Sequence, residues 1–118
     1  MTTVLLIDDD PEFGSALAEA LEDEGLDVFY APTAEKGIEL ALIHAPEAVL
    51  VDQHLPDRAG STTVRDMRAM GFAGLALLIS GNPEVSDLAN TSGADGWVIK
   101  PIDLASLIEV LRHDGDHT

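Results

Sequence analysis

Val4-Leu5-Leu6-Ile7-Asp8-Asp9-Asp10-Pro11 is the stretch on which the fold turns. Four consecutive apolar residues, without polar alternation, suit a strand buried on both faces, as in a parallel sheet. The run stops at three acids, and Asp10-Pro11 has the form of a helix N-cap followed by proline at the first helical position. Phe13, Ala16, Leu17, Ala20 and Leu21 then recur at helical spacing as one apolar stripe, and Gly25 suits the stop. A strand, an acidic turn and an amphipathic helix together make one β-α unit.

Downstream the pattern continues with Val28-Phe29-Tyr30-Ala31, Ala48-Val49-Leu50-Val51, Leu75-Ala76-Leu77-Leu78-Ile79 and Trp97-Val98-Ile99. Each run is followed by a segment of helical period. The second helix starts at Thr33, turns Ala34, Ile38, Ala41 and Leu42 inward, and ends before Pro46. The third follows Gly60 with Val64 and Met67 inward; the fourth, after Pro83, is weakened by Asn90, Thr91 and Ser92. The fifth begins at Asp103 and shows Leu104, Leu107, Ile108 and Leu111, with a polar tail from His113. Five such pairs predict an α/β fold: a three-layer α/β/α sandwich around a five-stranded parallel sheet. No linker or repeat interrupts it, so residues 1–118 read as one domain.

Composition narrows the functions. The formal charge of −16, with only six Lys and Arg, argues against direct nucleic-acid binding, which needs clustered cations. The absence of cysteine removes disulfides and thiolate metal sites and fits a reducing compartment. No run approaches the ~20 apolar residues of a membrane span, and the N-terminal run is too short for a signal peptide. The chain reads as a cytoplasmic protein without membrane insertion.

In an open parallel sheet, ligands bind beyond the carboxyl ends of the strands. Four of the five ends carry reactive groups here: Asp8-Asp9-Asp10, Asp52, Ser80-Gly81 and Lys100-Pro101. With a flavodoxin-like strand order 2-1-3-4-5, Asp8, Asp9 and Asp52 share the crevice at the switch point. Clustered carboxylates repel unless a cation intervenes; Mg²⁺ suits them, since it takes one or two carboxylates, keeps waters and accepts phosphate oxygens. Asp52 stands without an adjacent acid and is the candidate nucleophile for an aspartyl-phosphate. Lys100 can neutralise a phosphate oxygen, Ser80 can donate to another, and Gly81 leaves its N–H open to approach.

The set Asp8-Asp9, Asp52, Ser80 and Lys100-Pro101, with Asp52-Gln53-His54-Leu55-Pro56-Asp57-Arg58-Ala59-Gly60 matching the spacing Asp-x-x-[Met/Leu]-Pro-x-x-x-Gly, resembles the receiver domain of two-component response regulators, of the single-domain chemotaxis type. The resemblance covers essentially the whole chain. It implies phosphorylation of Asp52 by a histidine kinase or a histidine phosphotransfer protein. It also implies Mg²⁺ ligation by Asp9, Asp52 and the His54 backbone carbonyl, with Asp8 acting mostly through water. Ser80 would move towards the phosphate and Trp97 would follow it inward. The Lys100-Pro101 peptide is often cis in similar proteins. The face of the fourth helix, fifth strand and fifth helix would then bind a downstream protein target or a second copy as a dimer. Self-catalysed hydrolysis of the acyl phosphate does not make such a domain an enzyme.

Two rivals belong beside this reading. A haloacid-dehalogenase-like phosphatase would use Asp8 as nucleophile and Asp10 as acid–base, but the chain lacks a late acidic pair and a cap insertion. A receiver-like interaction module that acts without phosphorylation would keep the fold and lose the pocket. Each isolated signal also has a plainer origin: acids that cap a helix, a serine in a turn, a snorkelling lysine, a tryptophan of the core.

Overall fold

The computed structural model describes residues 2–115. Strands and helices alternate as β1 (Thr3–Ile7), α1 (Pro11–Asp23), β2 (Asp27–Ala31), α2 (Ala34–His44), β3 (Ala48–Asp52), α3 (Gly60–Ala69), β4 (Leu75–Ser80), α4 (Val85–Ser92), β5 (Gly96–Ile99) and α5 (Leu104–Gly115). All strand pairs are parallel and the order is β2-β1-β3-β4-β5. Helices cover both faces, so the expected α/β/α sandwich and strand order are what the chain forms.

The alternation hidden in the apolar runs appears in the two cores. Val4 and Leu6 join Leu50, Leu77 and Ile79 under α1 and α5, where Leu17, Leu21, Leu107, Ile108 and Leu111 meet them. Leu5 and Ile7 join Val49, Val51 and Leu78 under α2, α3 and α4, packed by Ile38, Ala41, Val64, Met67, Val85 and Ala89. Apart from Thr3, Asp52 and Ser80 at their ends, strands β1, β3 and β4 are therefore apolar, because each of their faces has its own layer of helices.

Edge strands depart from that rule. Strand β2 is mostly half-buried and β5 alternates between half-buried and exposed residues. Trp97 lies on this edge, 44% exposed, and is not a core aromatic in this state. Leu42 also differs from expectation: it is 64% exposed. The inward stripe of α2 is Ala34, Gly37, Ile38 and Ala41, and one further step of about 100° carries Leu42 past its edge. On α1, Ala16 is exposed for the same reason, while Gly14, Leu17 and Leu21 are buried.

Helix ends follow local chemistry. The Asp10 side chain accepts from the Glu12 and Phe13 N–H groups with Pro11 behind it, and Thr33 accepts from Lys36. Helix α5 starts after Asp103, whose carboxylate accepts from Ser106, and it continues to Gly115 through part of the expected polar tail; residues 116–118 lie outside the described residues. Helix α4 has no side-chain cap at its start. The turn after it is gripped by Arg68 of α3, which donates to the Gly93 carbonyl (3.0 Å) and the Asp95 carboxylate (2.9 Å) while also binding the carbonyls of Phe72 (3.1 Å) and Gly74 (2.7 Å) in the α3–β4 loop.

Candidate functional site

Strand register brings the reactive residues together. Ile7 pairs with Val51, so Asp8 comes level with Asp52; Asp52 pairs with Ile79, so Ser80 lies one step beyond. Ser80 pairs with Ile99, and Lys100 follows it with its N–H donating to the Ser80 carbonyl at 2.9 Å. Residues 92 positions apart in the chain, Asp8 and Lys100, therefore meet at one sheet edge.

Asp8, Asp9 and Asp52 each offer a carboxylate oxygen within 4.8 Å of the others. Asp8 is fully buried and Asp52 is 5% exposed, while Asp9 faces solvent. The Lys100 ammonium lies 3.5 Å from Asp8 Oδ2 and 3.7 Å from Asp52 Oδ2. Asp8 Oδ1 accepts from the Asp10 N–H at 2.8 Å, and the Asp8 carbonyl accepts from the Tyr30 hydroxyl at 2.6 Å. One ammonium thus stands beside two of the three clustered acids. Burial pushes the Asp8 carboxyl above its ordinary range and the Asp52 charge adds to this, against the Asp10 N–H and Lys100. Such an all-oxygen set, partly buried and open on the Asp9 side, fits a hard divalent cation that keeps some waters.

The raised Asp8 pKa carries a sign. Its stabilising contribution is complete below the unfolded value of 3.8 and is lost as pH rises through the folded value. Asp8→Asn should therefore raise the melting temperature of metal-free protein near pH 7 and leave it close to native near pH 3. Thermal melts across pH check this; a gain that does not grow with pH would contradict the crowding of charge around Asp8.

The loop after β3 closes over the acids. Asp52 Oδ1 accepts from the His54 N–H at 3.1 Å, His54 bridges to Ala59, and the Gly60 N–H donates to the Gln53 carbonyl at 2.9 Å. Gly60 is required here: a Cβ would strike the Asp52 carbonyl oxygen and stand 2.9 Å from the Asp52 carbonyl carbon. On the other side, Ser80 is buried and its Oγ accepts from the Asn82 N–H at 3.0 Å. A hollow of about 140 Å³ between the two loops is lined by His54, Ser80, Asn82 and Glu84 among others. The space around Gly81 is open, since a Cβ there would meet nothing within 4 Å. The Lys100-Pro101 peptide is cis. Trp97 is on the exposed edge of β5.

Three contributors escape the sequence reading. Phe13, expected only as packing, places its ring 4.2 Å from the Lys100 ammonium, a cation–π contact that holds the lysine over the acids. Gln53 locks the loop base by accepting from the Ser61 N–H at 2.9 Å and donating to Ser61 Oγ at 3.3 Å. Asp57 reaches across to the start of α2. Long-range contacts of this kind leave no periodic signal. Asp10, the acid–base of the phosphatase rival, is instead occupied as the α1 cap.

Comparison with known proteins agrees with this geometry. Residues 4–112 match the family model described as the response regulator receiver domain. The chain is similar to the KDP operon transcriptional regulatory protein KdpE of Escherichia coli, 34% identical over 114 residues, covering 95% of this chain and 50% of KdpE. It is also similar to the transcriptional regulatory protein AruR of Pseudomonas aeruginosa, 36% identical over 111 residues, covering 89% of this chain and 46% of AruR. The chain thus spans about half the length of the curated relatives it matches. Among solved structures it resembles the BeF3-activated N-terminal receiver domain of Klebsiella pneumoniae RstA, with a TM-score of 0.90 and 27% identity, covering 98% of this chain and 100% of that one. A CheY-like receiver domain protein from Methanospirillum hungatei gives a TM-score of 0.88 and 25% identity, with 96% and 92% covered. The matched span takes in Asp8, Asp9, Asp52, Ser80 and Lys100 alike, and the chain belongs to the receiver domain family of two-component response regulators.

Proposed function

We propose that Asp52 accepts a phosphoryl group from a histidine kinase or a histidine phosphotransfer protein, with Mg²⁺ held by Asp8, Asp9, Asp52 and the His54 carbonyl. The observation that carries this is the gathering of three carboxylates within 4.8 Å beside a single lysine ammonium at one sheet edge. A carboxylate oxygen of Asp52 bonds to phosphorus as the donor's P–N bond breaks. Lys100 moves from neutralising Asp8 and Asp52 to neutralising a phosphoryl oxygen, and Ser80 donates its hydroxyl to another. A Mg²⁺ ion held by Asp8, Asp9, Asp52 and the His54 carbonyl would supply charge withdrawal from the phosphoryl group. Incubation with acetyl phosphate and Mg²⁺, followed by intact mass spectrometry of wild type and Asp52→Asn, tests the assignment.

In this reading the whole of residues 1–118 is one receiver domain, located in the cytoplasm and not itself an enzyme. Among the described residues, no helix is long and apolar enough to cross a membrane. The formal charge of −16 supports protein rather than nucleic-acid partners for this domain. The curated relatives are transcriptional regulators of about twice this length. The output surface is the α4-β5-α5 face, where Leu88, Trp97, Ile99 and Val110 are exposed apolar residues suited to a downstream protein or a second copy.

Trp97 reports on this face. It is the only tryptophan and is 44% exposed, so the inward move proposed for it on phosphorylation shortens its emission wavelength. Addition of beryllofluoride with Mg²⁺ should give that blue shift. An unchanged spectrum, with binding established by calorimetry, would remove Trp97 from the switch.

A further inference from the structure

We propose that Asp57 is a positioning residue of this site: its carboxylate braces the loop carrying the His54 carbonyl against α2 and so sets the spacing between the two halves of the metal cradle. The inference rests on the reading that Asp8, Asp9, Asp52 and the His54 carbonyl hold Mg²⁺.

Asp57 is exposed, yet both its oxygens are engaged: Oδ1 accepts from the Ala34 N–H at 3.0 Å and Oδ2 from the Glu35 N–H at 2.9 Å. These are the first two N–H groups of α2, which no residue within the helix can satisfy. The contacts are charge-assisted and lie at the positive end of the helix. Burial raises the Asp57 pKa, but the Ala34 and Glu35 N–H groups outweigh it and the carboxyl falls below its ordinary value. The charged form is the one this position favours.

A cap alone does not explain the arrangement. Thr33 already caps α2 locally, accepting from Lys36 at 3.1 Å. Asp57 comes from 23 residues further along, in the loop that follows the acceptor strand. At its base that loop is fastened by the Gln53–Ser61 contacts and the His54–Ala59 bridge. Beyond the base, Leu55 packs on the core layer and Arg58 pairs with Asp66 of α3 at 2.8 Å. Among the described side-chain hydrogen bonds of the loop, only those of Asp57 reach the β2–α2 segment. That segment is in turn tied to the acids that follow β1, since the Asp8 N–H donates to the Ala31 carbonyl at 3.0 Å. Asp57 therefore joins the β1–β2 half of the cradle to the β3 half.

Calorimetric titration with Mg²⁺, without a phosphoryl donor, tests the brace alongside thermal melts. Asp57→Ala should weaken Mg²⁺ binding about tenfold, in the range seen when outer-shell partners of a metal are lost. Asp57→Asn, which keeps one acceptor without the charge, should fall between, and it carries the comparison if the alanine variant does not fold. Thr33→Ala weakens the same helix start without touching the loop; it should lower the melting temperature while keeping wild-type Mg²⁺ affinity. Native affinity in both Asp57 variants, or an equal loss in Thr33→Ala, overturns the proposal. Wild-type protein that binds no Mg²⁺ overturns the reading of the cradle itself, and the brace with it.

Discussion

Asp52→Asn should abolish phosphoryl uptake from acetyl phosphate, leaving an intact mass spectrum without the phosphorylated species that wild type forms. The amide has no charge to attack phosphorus and yields no acyl phosphate. The neighbouring acids are poorly placed to substitute. Asp8 is fully buried and tied to Lys100 and the Asp10 N–H, and Asp9 lies on the solvent side. The same substitution should stabilise the metal-free protein by on the order of 1 kcal/mol, because Asp52 faces two carboxylates but only one ammonium. An asparagine can still accept from the His54 N–H, so the loop keeps that contact. Undiminished uptake in Asp52→Asn would move the acceptor to another carboxylate, and a clear loss of stability would contradict the repulsion between the acids.

Mg²⁺ should raise the melting temperature strongly. At a free concentration one hundred times the dissociation constant, a ligand that binds only the folded state adds about 2.7 kcal/mol. For a domain of this size that corresponds to roughly 10 °C, at about 4 °C per kcal/mol. Asp9→Asn should lose most of the shift while melting near wild type without metal, since Asp9 is exposed and its removal leaves no cavity. Thermal melts with and without Mg²⁺ decide it: an equal shift in Asp9→Asn would place the bound ion elsewhere on this acidic surface.

Strand ends and their reactive groups were legible because continuous apolar runs and the turns that stop them are local signals. Val4–Ile7 before three acids, and Ala48–Val51 before Asp52, are examples. Register then does the rest, since parallel pairing levels Asp8 with Asp52, sets Ser80 one step beyond and Lys100 one step beyond Ser80. Leu42 shows the limit of periodicity: an apolar residue at the margin of a stripe can lie on either side of it, and the neighbouring layer decides. Trp97 shows another, because an edge strand exposes one side of an apolar run that would be enclosed in a central strand. Phe13 beneath Lys100 and Asp57 against α2 were invisible because both contacts depend on three-dimensional closure across long stretches of chain.

Helix α4 is held unequally. Charge-assisted bonds from Arg68 fasten the turn after it, while at its start the Glu84 side chain makes no capping hydrogen bond and the Glu84 N–H donates to Asn82 Oδ1 at 2.9 Å. Amide hydrogen exchange along these eight residues is therefore expected to show easier local opening at the turn next to Ser80 than beside Asp95. If Ser80 moves on phosphorylation as proposed, its displacement would fall at the more readily opened end, with the Arg68-held end as the fixed pivot of a lever.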